Sequence, residues 1–181
     1  MNSIKEKNFK IAFGGITSAL SLTIMFLTGL IPTLTYAMPA VSGALLMMLV
    51  IEINPKFAGA VYLSVSILSL LIVADKEAAV MYAIFFGYYP IIKGFIEKKT
   101  NTVVSWIIKY AIFNIAVICS YFIVTRILGI GFDDMGLFGK YAMPALLAMA
   151  NIVFAIYDIA LTRLITAYLI SWQKYVKRMF K

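Results

Sequence analysis

The residues able to do chemistry in this chain are few and widely spaced. It has 181 residues, no histidine, one cysteine, 16 Lys and Arg, and 8 Asp and Glu. Without histidine the commonest general base and the commonest metal ligand are missing. Cys119, alone inside the apolar run AIFNIAVICSYFIV, has no partner for a disulfide within the chain and reads as a small buried hydrophobe. There is no P-loop, H-E-x-x-H, G-x-S-x-G or paired-cysteine motif, and no carboxylate pair at catalytic spacing. No residue is therefore assigned a catalytic or metal-binding role, no cofactor is expected, and the chain is read as a non-enzyme.

What remains is a set of polar groups embedded in apolar sequence. Asn114 and Asn151 each sit roughly 15–17 Å into a long apolar segment at about 1.5 Å per helical residue, near the middle of a 30 Å hydrocarbon layer. An amide there needs a partner, because lipid offers none. Two readings follow: the floor of a solute cavity, or interhelical glue worth around 1 kcal/mol or less. Asp158 and Arg163 lie further along the last segment. Arg163 can snorkel to headgroups, and Asp158 can pair with Lys109 or serve a proton-coupled role. Arg126 can hold a solute carboxylate or phosphate, or pair with Asp133 or Asp134. Tyr36, Tyr82, Tyr121 and Tyr141 can stack on a planar ligand or form an aromatic belt.

The elements that position these groups are set by composition. Hydrophobic residues make up 63% of the chain and charged ones 13%, against about a quarter charged in soluble domains. The reading is an all-α integral membrane protein, one domain over 1–181. Six transmembrane helices are expected at about 11–31, 39–53, 57–74, 78–96, 103–130 and 141–172. The first resembles a signal peptide, with a basic start, but it is of membrane length and lacks a clear A-x-A site, so it is read as a retained helix. Pro90, after Tyr88-Tyr89, is expected to kink the fourth helix and free a carbonyl. Gly14-Gly15-Ile16-Thr17-Ser18-Ala19 supplies two small-xxx-small pairs, Gly14/Ser18 and Gly15/Ala19, which let a partner helix approach closely.

Charge sets the orientation. With the N- and C-termini cytoplasmic, thirteen of the 16 basic residues fall near the inner face, leaving Lys76, Arg126 and Lys140 near the outer one. Trp106 and Trp172 then fall at the inner interface. The formal net charge of +8 is accounted for by anionic lipid rather than nucleic acid. The outer loops, 32–38, 75–77 and 131–140, mix signs and are suited to a small polar or zwitterionic solute.

In length, six-helix layout and orientation the chain resembles the substrate-binding S component of an energy-coupling factor (ECF) vitamin transporter. Gly15-x-x-x-Ala19 is similar to that family's first-helix small-residue motif. The turn Asn54-Pro55-Lys56-Phe57-Ala58-Gly59 resembles its Gly-Pro-x-x-Gly-like turn, with Asn54 in place of the Gly and the second Gly one residue late. The resemblance implies a multi-pass protein of the bacterial cytoplasmic membrane. Its pocket would bind a vitamin or similar solute, with Tyr36, Lys76, Tyr82, Tyr121, Arg126 and Asn151 as candidates. Gly14, Gly15, Ser18 and Ala19 would dock it on a transmembrane coupling protein driven by two cytoplasmic ATPases. Two other readings stand beside it: a non-transporting scaffold similar to MreD, and a membrane-embedded lipid-modifying enzyme using Asp158 or Asp133/Asp134.

Overall fold

In the computed structural model, which describes residues 3–127, 129 and 142–173, all regular structure is helical. The order is α1 (Ser3–Leu27), α2 (Ala37–Glu52), α3 (Pro55–Ile72), α4 (Lys76–Met81), α5 (Tyr89–Lys99), α6 (Thr102–Phe122) and α7 (Ala142–Ala167). Single π-helical turns follow α4, α6 and α7 at Tyr82–Phe86, Ile123–Ile127 and Tyr168–Trp172. The first joins α4 and α5 into one rod, Lys76–Lys99.

Among the described residues, five helices are long and apolar enough to cross a membrane: Ile4–Leu27, Pro55–Ile72, Lys76–Lys99, Thr102–Ile127 and Pro144–Ser171. The sixth apolar element, α2, has 16 residues. At 1.5 Å per residue it extends roughly 24 Å, short of a full hydrocarbon core. The outer surface is greasy: Leu71, Val103, Ile127 and Ile170 are each at least 70% exposed. Several such helices give the chain the build of a multi-pass membrane protein. Cys119, expected to be buried, lies on this exposed surface, beside Ile118 and Phe122, which are also exposed; apolar sequence in a membrane helix does not separate the inward face from the lipid-facing one.

Small residues let α1, α2 and α3 close on one another. Gly14 packs against Phe57, whose ring would come within 2.7 Å of an added Cβ. Ser21 and Ser42 exchange hydroxyl-to-carbonyl bonds of 3.4 and 3.3 Å between α1 and α2. Asn54 begins α3 as an N-cap, its Oδ1 accepting from Phe57 N at 2.8 Å, with Pro55 in the first turn.

The closest approach joins α2 to the α4–α5 rod. The π turn is closed by Gly87 N donating to Tyr82 O at 2.8 Å. Pro90 then falls in the first turn of α5, with no N–H to offer Phe86 O four residues back. The expected freed carbonyl is thus that of Phe86, and it faces α2: a Cβ on Gly43 would lie 2.0 Å from Phe86 O. Only glycine fits there. The break itself comes in the turn before Pro90, because the π turn and Tyr88 absorb the change of direction.

Aromatic rings fill the middle. Phe113 stacks on Phe154 at 4.6 Å between centroids, and Phe85 on Tyr89 at 4.8 Å. Tyr89 and Phe154 meet edge to face at 5.5 Å. This cluster fixes the spacing of α5, α6 and α7 and so positions the polar groups below it.

Candidate functional site

On α5 the residues Tyr89, Lys93 and Glu97 recur every four positions, which places them on one helical stripe. That stripe faces Lys109 of α6 and Asp158 of α7. Lys93 is 0% exposed and Asp158 2%. Lys93 Nζ donates to Asp158 Oδ1 and to Glu97 Oε1, both at 2.6 Å. Lys109 Nζ donates to Glu97 Oε1 at 2.5 Å and to Asp158 Oδ2 at 3.0 Å. Tyr89 Oη adds a 2.5 Å bond to Asp158 Oδ1. Two lysines and two carboxylates therefore neutralise one another between three helices. A lone charge at such a place would be expensive, and the closed set is what makes it tolerable.

The pairing of Asp158 with Lys109 was legible in the sequence; Lys93, Glu97 and Tyr89 were missed. Their signal is a Lys and a Glu four apart after YYPII, but in sequence Lys93 is simply one of the thirteen basic residues near the inner face.

Beside this cluster opens a cavity of about 320 Å³, lined among others by Thr102, Ser105, Trp106, Lys109, Thr162 and Arg163. Lys109 lies 5.1 Å from the centre of the Trp106 ring. No family model matches the chain, and no curated protein or solved structure is significantly similar to it.

The residues anticipated as a solute pocket are distributed differently. Tyr36 donates to Glu77. Its phenol is pushed above the usual range, first by burial and then by the Glu77 carboxylate. Lys76 caps α3, donating to Leu70 O at 2.9 Å. Thr35 donates to Asp75 at 2.9 Å, so these residues tie one rim of the bundle together. Arg126 lies exposed on the π turn after α6, which packs against α4. Tyr121 is half-buried on α6, its ring edge-on to Phe122. Tyr82 is 0% exposed, its ring inside the bundle core. Asn151 and Asn114 exchange side-chain bonds of 2.9 and 3.0 Å, and each also donates to the carbonyl four residues back, Leu147 or Tyr110. Asp133, Asp134, Lys140 and Tyr141 lie outside the described residues.

The candidate docking face divides in two. Gly14 is buried against α3, and Ser18 donates to Gly14 O at 2.8 Å. Gly15 and Ala19 are exposed, and among the described residues nothing lies within 4 Å of a Cβ added at Gly15. Among the described residues no group of three or more His, Cys, Asp or Glu could hold a metal ion.

Proposed function

We propose that the chain is a membrane-embedded solute-binding subunit for uptake, similar to an ECF S component, and that it works by docking on an ATP-driven coupling protein. In this reading α2 is a sixth, short span. The N-terminus and the turns at Asn54-Pro55 and Lys99-Thr100 are cytoplasmic, as the basic residues there favour. The solute, a vitamin or similar small polar molecule, enters from the opposite rim, where Tyr36, Lys76 and Arg126 lie.

The observation that carries the reading is the open face of α1. Gly14 is taken up by packing against α3 and Ser18 bonds its own helix, whereas Gly15 and Ala19 are exposed, with no described residue within 4 Å of a Cβ added at Gly15. Small residues exposed on a membrane helix allow a second backbone to approach closely. The absence of a nucleotide-binding motif agrees with a subunit whose energy comes from elsewhere.

The test is a thermal-shift screen of the purified protein in detergent against vitamins, their precursors and amino acids. A ligand at a hundred times its Kd adds about 2.7 kcal/mol of stability, and a raised melting point is the expected result. A broad panel without a hit would favour the second reading, a scaffold that uses the same face to bind membrane proteins. That reading draws on the mutual pairing of Asn114 and Asn151, which leaves these amides engaged with each other.

A further inference from the structure

The cavity beside the charge cluster is a site that the uptake reading does not use. It lies at the end of the bundle where α5 turns into α6, the end that also carries Lys98 and Lys99, with Thr100 and Thr102 at its edge. Its floor is the neutralised set: Asp158 accepts from Lys93, Lys109 and Tyr89, and Glu97 accepts from both lysines. Its side carries Arg163, and among the described residues no carboxylate pairs with this guanidinium. Three cations against two carboxylates leave one positive charge, and it resides on Arg163.

A second observation points to a ligand. Ser105 lines the cavity and is 4% exposed. Its Oγ is buried and, among the described residues, has no hydrogen-bond partner. A buried hydroxyl without a partner costs free energy that an occupant can recover. Arg163 and Ser105 together supply a fork of N–H donors and one O–H donor, the complement of a tetrahedral oxyanion.

We propose that this cavity binds the phosphate of an anionic phospholipid headgroup. The lipid, rather than a free anion, is favoured by the surroundings. Ile159 lines the cavity itself, and the neighbouring Val103, Ile107 and Ile156 are 71, 63 and 64% exposed, an apolar surface on which acyl chains can lie. Trp106 stands at the same level, where amphipathic rings mark the headgroup boundary. A headgroup with its own quaternary ammonium fits less well, because the Trp106 face already receives Lys109.

The experiment measures melting in detergent and lipid retention by native mass spectrometry. Phosphatidylglycerol, phosphatidylcholine and inorganic phosphate are added separately. Phosphatidylglycerol is expected to raise the melting point and remain bound. Arg163→Gln should weaken that binding by about ten- to a hundredfold, the scale of a charge-assisted bond, while Lys98→Gln leaves it unchanged. Ser105→Val, which fills the space without altering charge, should also weaken retention and leave the lipid-free melting point in place. If inorganic phosphate alone reproduces the shift and displaces the lipid, the lipid assignment is wrong. Equal effects of the two phospholipids, or equal losses in Arg163→Gln and Lys98→Gln, would overturn the site. None of these outcomes depends on whether a solute is found at the opposite rim.

Discussion

Lys93 Nζ and Asp158 Oδ1 lie 2.6 Å apart, joining α5 to α7 through residues 65 positions apart in the chain, with the lysine side chain fully buried. Removing one member of such a pair leaves an uncompensated charge. Asp158→Asn is therefore expected to cost about 3–5 kcal/mol. Adding Lys93→Met to Asp158→Asn should restore a large part of this loss. Unfolding in mixed micelles measures both variants, and simple additivity of the two losses would show that the charges are not coupled.

The Asn114–Asn151 pair gives a milder expectation. Each amide keeps a bond to its own helix in addition to the bond across. A double-mutant cycle with leucine at the two positions should return a coupling of about 0.6 kcal/mol, and no more than about 1.7. A coupling near zero would mean that the cross-helix bonds contribute nothing to the bundle.

Two glycines separate packing from docking. Gly43→Ala drives a methyl against Phe86 O, and a loss of at least about 1–3 kcal/mol is expected. Gly15→Leu meets open space and should leave the melting point of the isolated protein alone; under the proposed uptake function it should also abolish assembly with a coupling protein. Pull-down and melting of the same preparation distinguish loss of docking from misfolding.

Tyr36 provides a dependence on pH. Burial and Glu77 hold its hydroxyl in the protonated form. Its contribution to stability is complete below the ordinary phenol value near 10 and declines as pH rises towards the higher folded value. Tyr36→Phe should therefore flatten the fall in melting temperature above about pH 10. Identical profiles for the two proteins would remove Glu77 as a partner.

The long apolar rods were legible in the sequence, because hydropathy and breakers such as Pro32 and Asn54-Pro55 need no tertiary information. The facing of each helix was less so. Tyr82 is expected in the outer half with its ring open to a ligand, whereas it is fully buried at the start of the π turn that follows α4. The same turn sets the angle at which the Tyr89–Lys93–Glu97 stripe meets α7, so the cluster depends on a backbone feature that no residue type announces. Asp158 and Lys109 pair in the sequence reading because counting along their helices puts them at similar depth; Lys93 is hidden there, because Lys98 and Lys99 nearby make it resemble part of a basic flank.

The charge cluster also bears on how the chain is made. Synthesis runs from α1 to α7, so Lys93 and Lys109 are placed before Asp158 exists. Until the last helix emerges, two ammonium groups share the single carboxylate of Glu97. In that half-built set the ammonium groups outnumber the carboxylates, and α7 supplies the missing one. Asp158 thus closes the cluster: only with the last helix in place do two carboxylates face the two lysines.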